Sequence, residues 1–295
     1  VTKLLSPPAR LEGGGFEIRD IMSGLGSAAT DPFLIWHELP KKYQKKGEFP
    51  GAPMHCHRGF CELPYCKELS GGNSDQYGYF LAKDHTGASC KMSSGDFELG
   101  TVACGIEHEG RSHPQWEGYM HFFQLWVNLP AANKFDPPSF QNASSASMPV
   151  VRLADKVTCK VLVGSVRGQE SPVKCPLVPV QYLDFECEPG GAVEYEVPEE
   201  LKTKFIYVYR GSGAVGSPGK EVAAGTLACL SPGSRLVVAA SAQGVGFLFI
   251  AGRPIGEPVV QHGPFVMNTR EQIVECFRDY QAGRLCRQPC TRVTY

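Results

Sequence analysis

Tight turns dominate this sequence, because glycine and proline recur along its whole length. The chain of 295 residues contains 33 glycines and 23 prolines, and both residue types interrupt helices and favour turns. Between the turns lie short runs rich in valine, tyrosine, phenylalanine and leucine, for example residues 203–209 and 245–251. Runs of this length and composition are typical of β-strands. The sequence therefore predicts a mostly β protein of many short strands.

A polar, proline-rich stretch at residues 129–149 separates two sets of predicted strands. A chain of this length is long enough for two domains of ordinary size. The runs on both sides have similar spacing, and residues 182–187 alternate apolar and acidic side chains as a half-buried strand does. We therefore expect two β domains of similar architecture, at residues 1–145 and 146–295.

The end of the chain carries the clearest helix signal. Thr269 is followed three residues later by Gln272, which is the pattern of a capping box. Ile273, Phe277 and Tyr280 then recur at helical spacing until the next glycine. We expect one short amphipathic helix to close the second domain.

Charge and hydropathy exclude several functional classes. The 29 basic and 30 acidic residues nearly cancel, so the chain lacks the positive field that binding to nucleic acid requires. No run approaches the roughly 20 apolar residues of a membrane-spanning helix, and the first residues lack the apolar core of a signal peptide. We expect no direct contact with nucleic acid or membrane, and a location in the cytoplasm, the nucleus or both. The first residue is valine, so a preceding targeting segment stays open.

The twelve cysteines are predicted to be reduced thiols. They are scattered along the chain, and none forms a Cys-x-x-Cys pair. A chain of this length buries a sufficient core without disulfides.

The strongest local signal for chemistry is a pair of histidines, His55 and His57. Residues two apart in a strand point to the same side, so both imidazoles can bind one metal ion. Taken alone, this spacing is equally compatible with a structural pair.

Four sequence blocks in this order resemble the pirin family. They read HxHRGFxE, GIxH, FQLWVNLP and QHGPFVMNT, and they lie at His55–Glu62, Gly105–His108, Phe123–Pro130 and Gln261–Thr269. The resemblance implies an all-β fold of two tandem cupin barrels, of the jelly-roll type. It also implies one iron(II), or another divalent first-row metal, in the N-terminal barrel, a metal-free second barrel, and a monomer.

The family pattern implies His55, His57 and His108 as metal ligands, but its fourth ligand, a glutamate two residues after the last histidine, falls on Gly110. Strand alternation sends the flanking Glu107 and Glu109 to the opposite face. A bulge at the glycine would turn Glu109 inward, where it would be both the fourth ligand and the catalytic base. Otherwise the metal has three imidazoles and water, is weakly held, or is absent.

Other residues near these blocks are expected to be structural. His113 and His121 are nearby histidines that we expect at the surface or in packing, and His262 lacks a partner histidine. Arg58 is expected to pair with a carboxylate and orient its loop, with anion binding as the less favoured alternative. The aromatic residues at strand spacing are expected to belong to the core; they are Phe60, Phe122, Phe123 and Trp126.

The resemblance implies three functional hypotheses. The first is a redox-sensitive regulatory protein that binds metal and contacts transcription regulators through protein surfaces. The second is a dioxygenase that opens flavonols such as quercetin, with activity weakened by Gly110, since loss of a positioned base typically costs roughly 10²- to 10⁴-fold in rate. The third is a pirin scaffold that has lost its metal. The missing carboxylate and the near-neutral charge favour the first, with the enzyme as the main alternative.

Overall fold

The structure is a computed structural model that describes residues 1–295, and short strands make up most of it. The strands in the first half are β1 (Lys3–Leu5), β2 (Ala9–Glu12), β3 (Phe16–Asp20), β4 (Phe33–Gln44), β5 (Ala52–His57), β6 (Phe60–Ser70), β7 (Phe80–Asp84), β8 (Ser89–Met92), β9 (Phe97–Thr101), β10 (Ile106–Ser112), β11 (Gly118–Asn128) and β12 (Ser139–Ala143). Those in the second half are β13 (Val150–Ala154), β14 (Val157–Val163), β15 (Ser165–Val166), β16 (Gln169–Glu170), β17 (Val180–Cys187), β18 (Ala192–Glu196), β19 (Thr203–Val215), β20 (Lys220–Ala223), β21 (Thr226–Cys229), β22 (Arg235–Gly252), β23 (Val260–His262), β24 (Phe265–Met267) and β25 (Thr291–Thr294). The prediction of a mostly β chain is confirmed.

Helices are few and short. They are α1 (Ser27–Thr30), α2 (Ser74–Tyr77) and α3 (Arg270–Gln281), and Ala131–Asn133 form a single 3₁₀ turn. None of them is long or apolar enough to cross a lipid bilayer.

The chain forms two compact units, and each unit draws on more than one segment. The unit called here the N-terminal unit comprises residues 9–20, 33–145 and 255–295. The C-terminal unit comprises residues 1–8, 21–32 and 146–254. The main change of unit follows residue 145. The segment 255–295, which was expected in the second domain together with its helix, belongs to the N-terminal unit instead.

The C-terminal unit is built on one nine-stranded sheet. Its main strand order is β1-β21-β19-β22-β17-β14-β13, with β18 beside β22 and β20 beside β19. The apolar side chains of the alternating segment in β17, Leu183, Phe185 and Cys187, are fully buried in its core, as predicted. Between them Asp184 accepts a hydrogen bond of 2.6 Å from the hydroxyl of Tyr209. Apart from such hydrogen-bonded polar groups, buried apolar side chains form the core of this unit.

The N-terminal unit contains an eight-stranded and a four-stranded sheet. The strand orders are β2-β3-β4-β11-β6-β9-β12-β25 and β5-β10-β7-β8. The last strand, β25, runs parallel to β12, with Thr291 opposite Ser139. The end of the chain therefore completes the larger sheet of this unit.

An arginine next to the histidine pair explains why the last segment belongs to the N-terminal unit. Arg58 is buried and donates hydrogen bonds to the carbonyl oxygen of Cys104 at 2.6 Å and to the carboxylate of Asp279 in α3 at 3.0 Å. A buried guanidinium requires such partners, because its charge has left water. The expected carboxylate partner of Arg58 is therefore found, and it lies in the terminal helix.

The helix α3 begins as predicted but presents a narrower apolar face. The side chain of Thr269 accepts from the backbone N–H of Gln272, and the Gln272 side chain accepts from the backbone N–H of Thr269. Ile273 and Cys276 are the buried residues of the helix. Tyr280, which was expected on the same face, is 44% exposed. The apolar stripe thus ends one turn earlier than its sequence spacing indicates.

A close backbone approach fixes the turn between β5 and β6. Gly59 has φ +97°, and a Cβ atom built on it would overlap the carbonyl oxygen of Val266. The buried ammonium group of Lys134 donates to the carbonyl oxygens of both residues, at 2.6 and 3.0 Å, and to Asn128 at 2.6 Å. The position requires glycine because no other residue fits both the dihedral angle and the contact.

All twelve cysteines have free thiols. Most are buried, and burial raises the pKa of the Cys187 thiol to about 11 and that of Cys159 well above its usual range. Such thiols stay protonated at neutral pH and serve as small packing groups.

We predict that Gly59→Ala lowers the free energy of unfolding by roughly 3 to 4 kcal/mol, since it combines a left-handed dihedral with overpacking. Gly87→Ala is the matched control, because Gly87 has φ +86° but no atom within 4 Å of the added methyl group. It should lose about 1 kcal/mol from the dihedral alone. Urea unfolding of both variants measures the difference, and equal losses would contradict the role assigned to the contact with Val266.

Candidate metal centre

Three histidines converge where strands β5 and β10 pair. The strands are antiparallel, with His108 directly opposite His55 and Ile106 opposite His57. Each histidine offers one ring nitrogen, and these three atoms lie within 4.8 Å of one another. The structure therefore brings together the three histidines that the sequence pattern selected.

The environment keeps these imidazoles neutral. Burial, followed by the neighbouring His108 and His55, lowers the pKa of His57 well below its usual range. Burial, followed by His55, lowers the pKa of His108 to about 3. His55 has its Nδ1 atom 2.6 Å from the carbonyl oxygen of Pro53, which leaves Nε2 available. Neutral imidazole is the form that binds metal ions.

Glu62, which ends the first family block but was given no role in metal binding, has its carboxylate next to this cluster. Glu62 lies in β6, is 1% exposed, and has its Oε1 atom 3.3 Å from Nδ1 of His108 and its Oε2 atom 3.9 Å from Nε2 of His57. Burial, then the nearby Glu98 carboxylate, raises the pKa of Glu62 well above its usual range. A signal was available, because an isolated acid within the apolar run that follows Gly59 is unusual for a buried strand.

Gly110 leaves no room for the family glutamate. It lies in β10 two residues after His108, and a Cβ atom built on it would be 2.5 Å from Cε1 of Phe80. The ring of Phe80 therefore occupies the space that a side chain at this position would need.

Glu109 is not among the clustered groups. Pairing of β10 with β7 continues without a shift from His108 to Ser112, with Glu109 opposite Lys83. A register shift does occur between His108 and Gly110 against β5, but its extra residue is in β5, since these two residues pair with His55 and Ala52. The strand that carries Glu109 thus keeps its pairing with β7. Glu109 does line the cavity beside the histidines, but no ion pair links its carboxylate to them.

The histidines expected to be structural have other contacts. His113 stacks on Tyr77 with ring centroids 4.5 Å apart. The buried His121 has its Nε2 atom 2.8 Å from the carboxylate of Glu38. His262 is exposed and lies in the N-terminal unit, not in the second domain where it was expected. The structure brings none of them to the cluster.

A cavity of about 690 Å³ opens beside the histidines. Phe122, Phe123 and Trp126, which were expected in the core, are buried and also line this cavity. Phe60 does lie in the core, stacked on Trp126 with ring centroids 4.0 Å apart. Polar groups from Arg10 and His37 line another part of the wall, 3.1 Å apart. The cavity therefore joins a metal-binding cluster to an aromatic wall.

The terminal strand supplies a cation close to this site. Arg292 of β25 donates to Asp84 and to Glu98, both at 3.1 Å, and Asn142 also donates to Glu98. These bonds satisfy two buried carboxylates that lie next to the cluster. They also leave Glu62 without a guanidinium partner.

Comparison with known proteins agrees with this arrangement. The family model described as Pirin matches residues 15–127, and the Pirin C-terminal cupin domain matches residues 182–286. Human pirin is 34% identical over 276 residues, covering 92% of this chain and 89% of that protein. The chain belongs to the pirin family.

Two further proteins that are similar to this pirin are named as quercetin 2,3-dioxygenases. A Pseudomonas aeruginosa protein named "Putative quercetin 2,3-dioxygenase" is 34% identical over 280 residues, covering 93% of each chain. The crystal structure of quercetin 2,3-dioxygenase from Acinetobacter baumannii is 25% identical, with a TM-score of 0.85 and 96% coverage of each chain. The predicted fold of two tandem cupin domains is confirmed.

The residues present in this pirin fit a divalent cation. Oε1 of Glu62 and Nε2 of His108 are buried and have no hydrogen-bond partner. Buried polar atoms are normally satisfied, and atoms left without partners in a cluster of metal-ligand type require an explanation. The histidine cluster can hold a metal, and nitrogen and oxygen donors together suit iron(II) and other first-row ions.

We predict that the protein binds about one equivalent of iron(II) after anaerobic loading and desalting, measured by elemental analysis. His57→Ala and His108→Ala should each lower the affinity at least roughly tenfold, because each removes a donor nitrogen. His262→Ala, which removes an exposed imidazole outside the cluster, should retain the full equivalent. Full retention of iron in either cluster variant would show that the metal binds elsewhere.

Proposed function

We propose that this pirin is a metal-dependent dioxygenase whose substrate is a flat, hydroxylated aromatic molecule of the flavonol type. The metal is one divalent first-row ion per chain, with iron(II) as the first candidate. The observation that carries the proposal is the position of the histidine cluster on the wall of an aromatic-lined cavity. The names of its relatives, which refer to quercetin 2,3-dioxygenase, support the same reaction class.

The cavity has the size and lining that a small aromatic substrate needs. Its volume of about 690 Å³ lies within the range of roughly 300 to 1,000 Å³ that is usual for small-molecule sites. Phe80, Phe122 and Trp126 line it near the histidines. These rings provide apolar faces against which an aromatic ring stacks, and they exclude water from the reacting groups.

Some residues of the site would bind the metal, and others orient its neighbouring groups. When bound at the histidines, a divalent metal supplies Lewis-acid polarisation of a substrate oxygen and access to dioxygen chemistry. His55, His57 and His108 hold that position with neutral nitrogens. Gln124 donates to Oε2 of Glu62 at 3.3 Å and fixes the orientation of this carboxylate beside them. Arg10, farther along the wall, is paired with Glu12 and Asp20 and adds a polar edge to the cavity.

A regulatory role through protein partners is the second candidate. It is favoured by Gly110, because this chain lacks the carboxylate that the family pattern places beside the last histidine, and a positioned base contributes strongly to catalysis. In that role the protein binds transcription regulators in the cytoplasm or nucleus, and the redox state of its metal alters the binding surface. The regulatory role requires the same metal but no conversion of a substrate. A measurement of enzyme activity therefore distinguishes the two candidate functions.

We predict that iron-loaded protein consumes dioxygen in the presence of quercetin, measured with an oxygen electrode. Metal-free protein and His108→Ala should show only the rate without protein, because the group that polarises the substrate is lost. A flavone lacking the 3-hydroxyl group is the matched control substrate and should give no uptake. One bound iron without any quercetin-dependent uptake would contradict the enzyme and favour the regulatory role.

A further inference from the structure

We propose that Glu62 is the carboxylate ligand of this metal centre and replaces the glutamate that the family pattern places at the position of Gly110. This assignment rests on the proposed function, because it adds a ligand to the metal site at His55, His57 and His108. The added ligand comes from a different strand. The assignment gives a role to the buried Glu62 carboxylate, for which the family pattern specifies none.

Interatomic distances place Glu62 close to ligand spacing. Donor atoms that share one first-row metal lie about 2.0–2.2 Å from it and therefore about 3.0–3.5 Å from one another. Oε1 of Glu62 lies 3.3 Å from Nδ1 of His108, and its Oε2 lies 3.9 Å from Nε2 of His57. The first distance meets that spacing for coordination through Nδ1 of His108. The second distance is longer, so binding requires a small shift of the carboxylate towards His57.

Glu62 also lacks a fixed partner of opposite charge. It is 1% exposed, its Oε1 atom has no hydrogen-bond partner, and the amide of Gln124 is the donor to its Oε2 atom. The nearby guanidinium of Arg292 is bound to Glu98 and Asp84. Taking a carboxylate out of water costs several kcal/mol unless positive charge compensates it. A metal between Glu62 and the histidines supplies that charge.

The space around two glycines favours the same ligand. A Cβ atom at Gly100, opposite Glu62 in the neighbouring strand, would lie 3.1 Å from Cγ of Glu62 and 2.7 Å from Cε1 of Phe140. Glycine there leaves room for the Glu62 side chain. At Gly110 the equivalent space is filled by Phe80. The packing therefore admits a carboxylate from β6 and excludes one from β10.

The competing carboxylates have other positions. Glu98 accepts hydrogen bonds from Arg292 and from Asn142. Glu109 lies opposite Lys83 in a regular stretch of β10 and forms no ion pair with the cluster. Glu62 is therefore the carboxylate that the structure assigns to the metal.

Ligation by Glu62 has a structural consequence that can be measured. The three histidines belong to the four-stranded sheet, whereas Glu62 belongs to the eight-stranded sheet. A metal bound by all four residues links the two sheets, and a ligand that binds only the folded state raises its stability. With a ligand at position 110, by contrast, all four donors would lie in one sheet.

The test compares Glu62→Gln with Glu109→Gln, using cobalt(II) as the metal under anaerobic conditions. Glu62→Gln keeps the shape of the side chain and removes its charge, so we expect the Kd for cobalt(II) to rise at least about tenfold. The metal-induced rise in Tm should shrink with it, and the absorption bands of bound cobalt(II) should shift. Glu109→Gln should match the parent in all three measurements.

A parent protein that binds no metal would overturn the proposed function together with the assignment of Glu62. A parent that binds cobalt(II), with Glu62→Gln unchanged, would overturn only that assignment, and loss of binding in Glu109→Gln would assign the ligand to Glu109. The melting curve of each metal-free variant reports folding. Glu62→Asp, which keeps the charge but shortens the reach, provides a second variant with the same expected loss.

Restoring the family ligand provides an independent check. In the Glu62→Gln background, Gly110→Glu combined with Phe80→Ala supplies a carboxylate from β10 and removes the ring that fills its place. We expect this triple variant to recover cobalt(II) affinity, whereas Gly110→Glu with Phe80 intact should not. A folded triple variant without recovery would overturn the statement that Glu62 replaces the family glutamate.

Discussion

The contact between Gly59 and the backbone of Val266 is the constraint on which the metal centre depends. It fixes the turn between β5, which carries two of the histidines, and β6, which carries Glu62. Arg58 and Lys134 hold the same turn through buried hydrogen bonds to the terminal helix and to two backbone carbonyls. Both cations are satisfied by fixed acceptors, so the turn has little freedom to rearrange. The last segment of the chain is therefore part of the site's support.

The buried carboxylates around the cluster have few cations beside them. Glu62 and Glu98 are both buried, and one guanidinium, that of Arg292, serves Glu98 and Asp84. The histidines are held neutral by burial, so they do not compensate the remaining carboxylate. Burial raises the pKa of Glu62, so its ionised form is costly without a cation, and a divalent cation at the histidines compensates that charge.

The sequence predicts most of the fold because each element is encoded locally. Turn residues and alternation locate the strands, the Thr269 and Gln272 pair locates the helix, and the spacing of His55 and His57 locates the ligand strand. It does not predict that the helix returns to the first unit, since that depends on the pairing of Arg58 with Asp279 across the chain. The position of a segment in the sequence therefore does not show which unit it belongs to, as residues 255–295 illustrate.

The fourth ligand shows the same limit at the level of the site. A pattern within one strand draws attention to Gly110 and its neighbours, but strand alternation cannot show which side chain of another sheet approaches the same point. The sequence marks Glu62 as an unusual acid in a buried strand, but its proximity to the histidines emerges only from the folded structure. If the carboxylate of this site also receives the substrate proton, as a ligand glutamate can, then the substrate must present its hydroxyl towards β6. The apolar ring of Phe80 would then face the side where the family pattern has its acid, so a change of ligand position would require a matching change of substrate orientation.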